Sequence, residues 1–266
     1  MALTPLAASY DHLLLDLDGC VWVGEEPTER AREAVGALRA AGKGIAFVTN
    51  DGRFSPEEHV RKLWRLGFQA SLEEVVTVGA ALQFRLAERY GDNRAAAVVV
   101  GSPALHRHVE EAGLRIVNRT AFASRAEVVA VGAHDLFDYR ELREATQAAM
   151  RGATLFAAGR DPTFPMPDGP WPGTGAVVAA IEVAAGVVAE NVGKPAAPIV
   201  HAALDRLGPG RALLVGDRVD SDLGAATSGG IDGALVLTGA TAPLVAHRAD
   251  KAVAVRDSLA DLVLAR

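Results

Sequence analysis

The 266-residue chain has few of the residues that characterise several common protein classes. Its single cysteine, Cys20, excludes a disulfide framework and a cysteine-rich zinc module. Aromatic residues make up only 5% of the sequence, which is too few for a surface that stacks nucleic-acid bases. The 27 Lys and Arg residues are outnumbered by 33 Asp and Glu, and the net charge of −6 also argues against a nucleic-acid partner.

The sequence also lacks a hydrophobic run long enough to span a bilayer. Its longest run, residues 175–189, is interrupted by Glu182 and falls short of the roughly 20 residues that a transmembrane helix requires. The first residues lack the basic segment that opens a signal peptide. We therefore expect a cytoplasmic protein without a membrane partner.

What the sequence does contain is an alternation of short apolar runs with amphipathic segments. The runs at 13–15, 45–48, 96–100 and 212–215 are typical of strands that are buried on both faces. Helical spacing of apolar residues separates them, and alternating strands and helices predict an α/β fold with a doubly wound, mainly parallel sheet. One sheet containing every strand would be large, so the pattern alone leaves one domain or two open.

Polar residues follow the predicted strands where each strand ends. Three segments carry them: Asp16-Leu17-Asp18-Gly19, Thr49-Asn50-Asp51-Gly52, and Gly216-Asp217 with Asp222 beyond it. Just before the last of these units, Gly193-Lys194-Pro195 lies in a predicted loop. Because the carboxyl ends of parallel strands meet at one edge, we expect several carboxylates to share a small volume. Like charges this close require compensation, and Mg²⁺ suits a few carboxylates together with a phosphate. The combination predicts a phosphoryl-transfer site.

These motifs resemble those of the haloacid dehalogenase-like superfamily of aspartyl-phosphate hydrolases. The match is to the branch (subfamily IIA) that contains 4-nitrophenyl, phosphoglycolate, pyridoxal-phosphate and glycerol-phosphate phosphatases. The segments that carry it are LLLDLDGCVW (13–22), FVTNDG (47–52), DPTFPMPDGPWPGTGA (161–176), VGKP (192–195) and VGDRVDSDLGAATSGG (215–230). The resemblance implies a Rossmann-like core formed by residues 1–80 and 187–266. It also implies an inserted α/β cap at 81–186 that determines substrate specificity.

The resemblance also implies a chemical role for each acidic motif residue. Asp16 is expected to be the nucleophile that forms an aspartyl phosphate, and Asp18 to be the general acid and base. Mg²⁺ is expected to bind the carboxylates of Asp16 and Asp217 and the backbone carbonyl of Asp18. Asp222 is expected to hold a metal-bound water, as orienting partners of a metal site often do.

The remaining motif residues are expected to bind the phosphate. Thr49 and Asn50 would bind the phosphoryl oxygens, and Lys194 would neutralise their charge. Asp51 departs from the branch, which usually has Asn at this position, and it adds a carboxylate near the phosphate. At about 7 Å and an effective dielectric constant near 20, the repulsion would be about 2 kcal/mol per phosphate charge. Either Asp51 points away from the phosphate and caps the turn, or the activity is shifted or weakened.

The function that these residues favour is a Mg²⁺-dependent phosphatase that hydrolyses a small organic phosphate ester. A phosphotransferase or mutase on the same fold is one alternative. A catalytically weakened phosphoacceptor or binding module is another alternative. Asp18 disfavours it, because such a module does not need a residue that acts as acid and base. No motif in 81–186 identifies the ester, and the resemblance further implies a homodimer that pairs through the cap.

Overall fold

The computed structural model describes residues 2–132, 134–164, 171–241 and 252–265. Residues 165–170 of the quoted segment 161–176 lie outside the described residues. The strands are, in chain order, β1 (His12–Asp16), β2 (Trp22–Val23), β3 (Glu26–Pro27), β4 (Gly44–Thr49), β5 (Val75–Thr77), β6 (Ala96–Val100), β7 (Arg115–Ile116), β8 (Val128–Val131), β9 (Thr154–Ala157), β10 (Thr163–Phe164), β11 (Trp171–Pro172), β12 (Glu190–Asn191), β13 (Ala212–Gly216), β14 (Asp232–Val236) and β15 (Ala252–Arg256).

Helices alternate with most of these strands. They are α1 (Pro5–Ala8), α2 (Ala31–Ala40), α3 (Pro56–Arg65), α4 (Val78–Tyr90), α5 (Pro103–Glu111), α6 (Tyr139–Met150), α7 (Thr174–Ala185), α8 (Pro198–Leu207), α9 (Gly224–Ser228) and α10 (Leu259–Val263). Short 3₁₀ or π turns occur at Gly91–Asn93, Ala123–Arg125 and Val219–Leu223. Among the described helices, none combines the length and the apolar character that crossing a membrane would need.

The chain forms two compact units. The first contains Met1–Thr49, Pro56–Val76 and Lys194–Arg266, and the second contains Asn50–Ser55 and Thr77–Gly193. The assignment of residues 81–186 as a cap that selects the substrate stays a prediction.

The first unit is built on a parallel sheet with the strand order β15-β14-β13-β1-β4-β5. Strand β1 lies between β13 and β4 and pairs in parallel with both. Its residues are buried along their whole length, which explains why its sequence is a continuous apolar run rather than an alternating one. The register places Leu15 beside Val215 and Phe47, so β1, β13 and β4 end at the same edge. This confirms the predicted parallel α/β architecture.

The second unit has its own sheet, with the order β12-β9-β8-β6-β7. All of its described pairings are parallel. Along β6, Val98 and Val100 join one hydrophobic cluster, and Ala97 and Val99 join another on the opposite face. Helices therefore cover both faces of this sheet, because a strand with apolar residues on both sides must bury both.

A hydrogen-bond network ties the residues before β1 and β13 to the first residue of β14. The Tyr10 hydroxyl donates to Oδ2 of Asp232 at 2.8 Å, and Nη2 of Arg211 donates to the same oxygen at 2.8 Å. The Arg211 guanidinium lies 4.4 Å from the centre of the Tyr10 ring, and Tyr10 is only 1% exposed. Burial and the hydrogen bond to Asp232 raise the pKa of Tyr10 to about 12.

We expect the substitution Tyr10→Phe to lower the free energy of unfolding by about 1 kcal/mol, because it removes the hydrogen bond to Asp232. The contribution has a defined pH dependence, since the folded-state pKa of Tyr10 is raised above its ordinary value of about 10. It is complete below about pH 10 and is lost as the pH rises toward 12, so the difference between wild type and variant should shrink over that interval. Urea unfolding between pH 7 and pH 11.5 measures this difference.

The matched control is Tyr139→Phe, because the Tyr139 side chain is 81% exposed. This variant should leave the free energy of unfolding unchanged within error at every pH. A Tyr10→Phe difference that is absent at pH 7, or that stays constant to pH 11.5, would contradict the assignment.

Candidate active site

Three carboxylates converge at the carboxyl edge of the first unit's sheet. Asp16 is the last residue of β1, Asp217 follows β13 directly, and Asp222 lies in the turn before α9. Each offers an oxygen, and these oxygens lie within 4.8 Å of one another. Asp16 and Asp217 are 6% and 2% exposed, and Asp222 is fully buried. The strand ends therefore bring the predicted acidic residues together.

One ammonium group lies among these carboxylates. Nζ of Lys194 donates a short hydrogen bond to Oδ1 of Asp16 and another, of 2.7 Å, to Oδ1 of Asp222. The second oxygen of Asp222, Oδ2, accepts the backbone N–H of Arg218 at 2.9 Å. Both oxygens of Asp222 thus have protein partners, and its expected contact with a metal-bound water stays a prediction.

The pKa shifts in this cluster reflect an excess of negative charge in a buried space. Burial raises the pKa of Asp16 well above its usual range, Lys194 opposes the shift, and Asp222 and Asp217 add to it. Burial also raises the pKa of Asp217, against the hydrogen bond from Ala240. Burial alone would lower the pKa of Lys194, but the Asp16 and Asp222 carboxylates raise it above the usual value for lysine. One ammonium group cannot balance three carboxylates, so an added cation would be stabilised here.

The surroundings of Asp217 fit a divalent metal ion. Its Oδ2 accepts the backbone N–H of Ala240, while Oδ1 is buried and has no hydrogen-bond partner in the described part of the chain. A buried carboxylate oxygen without a partner is costly unless something binds it. Gly19 and Gly239 approach so closely that a Cβ on either would meet Oδ2 of Asp217 within 2.4 Å. A hard cation with oxygen ligands, such as Mg²⁺, is what this set of donors suits.

Asp18 occupies a different environment from the three buried acids. Its side chain is exposed, and Oδ1 accepts a hydrogen bond of 2.7 Å from Nε1 of Trp22. The sequence motifs assigned no role to Trp22, although it closes the segment 13–22. A spacing of four residues is informative only when the intervening turn is known, so no signal in the sequence identified this contact.

Of the predicted phosphate-binding residues, Thr49 ends β4 in the first unit and is 2% exposed. Its chain neighbour Val48 pairs with Asp16, which places Thr49 at the same sheet edge as the acidic cluster. Asn50 belongs to the second unit, where its side-chain amide donates to Oδ2 of Asp161 at 3.5 Å. Phosphate binding by Thr49, Asn50 and Lys194 stays a prediction.

Asp51, the residue that departs from the branch pattern, caps a turn. Its Oδ1 accepts the backbone N–H of Arg53 at 3.0 Å and Nε of the same residue at 2.9 Å. Its Oδ2 accepts Nη2 of Arg53 at 2.7 Å, so carboxylate and guanidinium form a bidentate ion pair. Of the two alternatives for Asp51, the structure favours the one in which the carboxylate caps the turn, and Arg53 offsets its charge.

Comparison with known proteins identifies the family of the chain. Residues 13–115 match the family described as haloacid dehalogenase-like hydrolase, and residues 191–262 match a second family of HAD-like hydrolases. A crystal structure of a glycerol phosphate phosphatase from Mycobacterium tuberculosis in complex with magnesium superposes with a TM-score of 0.90 at 35% identity. That superposition covers 98% of this chain and 78% of the mycobacterial one.

Curated relatives are similar over most of this chain. The D-glycerol 3-phosphate phosphatase of M. tuberculosis is 37% identical over 88% of this chain, which spans 65% of that relative's length. The glycerol-3-phosphate phosphatase of Gallus gallus is 33% identical over 87% of this chain, which spans 81% of that relative. A p-nitrophenyl phosphatase from Archaeoglobus fulgidus superposes with a TM-score of 0.86 at 29% identity, covering 96% of this chain and 98% of its own. The chain therefore belongs to the haloacid dehalogenase-like hydrolases, in the subfamily IIA phosphatase branch that its motifs predicted.

Proposed function

We propose that the chain is a Mg²⁺-dependent phosphatase that hydrolyses a small phosphomonoester through an aspartyl-phosphate intermediate. The observation that carries the proposal is the buried Lys194 ammonium between Asp16 and Asp222, beside an Asp217 oxygen that has no hydrogen-bond partner among the described residues. This arrangement supports a nucleophile, a balancing cation and a metal ligand in one small volume. The names of the relatives support the same activity.

In the first step, a carboxylate oxygen of Asp16 forms a bond to phosphorus as the bond from phosphorus to the ester oxygen breaks. Asp18 gives its proton to the departing alcohol oxygen. In the second step, Asp18 takes a proton from water as the water oxygen bonds to phosphorus and the aspartyl bond breaks. Inorganic phosphate is released and both carboxyl groups return to their starting states.

Lys194 and the acidic cluster supply the electrostatic part of catalysis. The Lys194 ammonium is held by two carboxylates, so it is oriented before substrate binds and needs no rearrangement during the reaction. Asp16, Asp217 and the backbone carbonyl of Asp18 would hold Mg²⁺, which neutralises charge on the transferring phosphoryl group when bound. Thr49 and Asn50 would donate hydrogen bonds to the remaining phosphoryl oxygens.

Glycerol phosphate and related small esters are the substrate class that the relatives' names favour. Selection of the ester by a cap at 81–186, and a homodimer paired through that cap, belong to the same proposal. A phosphotransferase or mutase would use the same first step and pass the phosphoryl group to an alcohol instead of water. The products therefore distinguish the two, because only the phosphatase releases inorganic phosphate.

We expect the protein to release phosphate from a panel of phosphomonoesters in a Mg²⁺-dependent manner, and Asp16→Asn to lower kcat at least about a thousandfold, because no nucleophile remains. Phosphate release measured with Mg²⁺ and with a chelator tests this. Asp135→Asn is the control, since Asp135 is an exposed carboxylate and should leave kcat unchanged. No phosphate release by folded wild-type protein, or full activity of Asp16→Asn, would refute the proposed function.

We expect Asp217→Asn to weaken Mg²⁺ binding at least about tenfold, because the amide keeps the shape of the carboxylate but removes its charge. Thermal unfolding against Mg²⁺ concentration measures this without substrate, since a bound ion raises the melting temperature. Asp220→Asn, at an exposed carboxylate in the same segment, should behave as wild type. Equal Mg²⁺ dependence in all three proteins would show that Asp217 is not a ligand.

We expect Arg53 to protect the phosphate site from the charge of Asp51. Arg53→Met should raise KM for the ester about fivefold, because it removes the guanidinium that forms a bidentate ion pair with the Asp51 carboxylate. Asp51→Asn should change KM less than twofold, and the double variant should return close to wild type, which a double-mutant cycle quantifies. If Asp51→Asn alone improves kcat/KM more than tenfold, then Arg53 does not offset the carboxylate.

A further inference from the structure

A tight turn brings the Trp22 side chain to the carboxylate of Asp18. The backbone N–H of Trp22 donates to the carbonyl of Leu17 at 3.1 Å, and the N–H of Gly19 donates to the carbonyl of Trp22 at 2.7 Å. Gly19 has a φ of +88°, a conformation that other residues adopt only at a cost. The turn thus places the indole N–H of Trp22 2.7 Å from Oδ1 of Asp18.

The indole ring is held on its other side as well. Trp22 is 1% exposed, and Nζ of Lys62 lies 4.5 Å from the centre of its ring. The same ammonium group donates to the carbonyl of Gly24 at 2.8 Å, at the tip of the hairpin formed by β2 and β3. Lys62, on α3, therefore fixes both the hairpin and the ring, and the direction of the indole N–H is set before any substrate binds.

The Asp18 side chain depends on this one contact for its orientation. It is exposed, and in the described part of the chain the indole N–H is the hydrogen-bond donor that its carboxylate meets. An exposed aspartate without a partner would sample several rotamers, and a proton donor is effective only within hydrogen-bond reach of the atom it protonates.

We propose that Trp22 is a positioning residue for the acid and base of the reaction. The inference rests on the proposed function. The indole N–H keeps Oδ1 of Asp18 as an acceptor, so the proton that Asp18 transfers is carried by Oδ2. That proton moves to the ester oxygen as the phosphorus–ester bond breaks and the bond from Asp16 to phosphorus forms.

This role has a signature that a packing role lacks. An alcohol such as glycerol is a poor leaving group and departs only with a proton, whereas 4-nitrophenolate is a stable anion and departs without one. Loss of the orienting N–H should therefore slow attack on an alkyl phosphate far more than attack on 4-nitrophenyl phosphate. The ratio kcat/KM reports only the steps up to release of the alcohol or phenol, so hydrolysis of the aspartyl phosphate does not enter it.

The experiment is Trp22→Phe, which keeps an aromatic ring and removes the N–H. We expect kcat/KM to fall about tenfold for glycerol phosphate and less than twofold for 4-nitrophenyl phosphate. Asp18→Asn should show the same selectivity in a stronger form. Trp64→Phe is the matched control, because Trp64 is 59% exposed and its indole N–H donates to the carbonyl of Ala70 at 2.8 Å. This variant also loses one indole hydrogen bond, and it should leave kcat/KM unchanged for both esters.

Equal losses on the two esters would overturn the proposal in favour of a packing role, and no loss on either would overturn it outright. If Trp22→Phe does not fold, Lys62→Met provides the test, because it frees the ring but keeps the N–H. That variant should show a selective loss of about threefold on glycerol phosphate, and an unselective effect would again overturn the proposal. A wild-type protein inactive on both esters would refute the proposed phosphatase activity instead.

Discussion

The ion pairs of Lys194 with Asp16 and Asp222 are the interaction on which the arrangement of the site depends. Three carboxylates within 4.8 Å of one another repel, and burial denies them the solvation that would offset the repulsion. They cannot move apart, because Asp16 ends β1 and Asp217 directly follows β13, and these two buried strands pair in a register that the core sets. A positive charge must therefore enter the cluster, and Lys194 supplies part of it.

Close backbone approach is the second constraint on this edge of the sheet. A Cβ on Gly216 would meet Cγ of Asp222 at 2.2 Å, and one on Gly239 would meet Oδ2 of Asp217 at 2.1 Å. The acidic side chains are thus packed directly against main chain, which leaves them little room to change rotamer. Such confinement holds the carboxylates in one geometry before substrate binds. In a flexible site, the side chains would have to become ordered at each binding event.

The chain also shows how an unusual charge is accommodated locally. Asp51 stands where the branch usually has a neutral amide, yet Arg53 two residues later pairs with its carboxylate and donates its own backbone N–H to it. Trp22 and Asp18 are a similar local pair, in which a turn of the main chain brings a donor to an acid. In both cases, residues close in sequence adjust the chemistry of a site whose central groups come from distant segments.

The sequence by itself determined the strands that are buried on both faces and the polar motif residues that lie at the ends of strands. The predicted strand 96–100 matches β6 at both ends, because a continuous apolar run between polar turns is typical of a strand that is buried on both faces. The order of the acidic motifs and Lys194 likewise carried the resemblance to the family. Asp16, Thr49 and Asp217 could be expected to lie near one another, because each ends or follows one of three neighbouring parallel strands.

Only the tertiary structure decided the features that depend on partners far along the chain or on the shape of a turn. The two-residue strands β2 and β3 are too short to show a hydrophobic period of their own, and pairing and packing in the folded protein stabilise them. Three features of the site were not predictable for a related reason: the pairing of Asp51 with Arg53, the contact between Trp22 and Asp18, and the Asp217 oxygen that no described residue hydrogen-bonds. The direction of a polar side chain is set by which donors lie within 3 Å of it, and spacing along a sequence does not specify that.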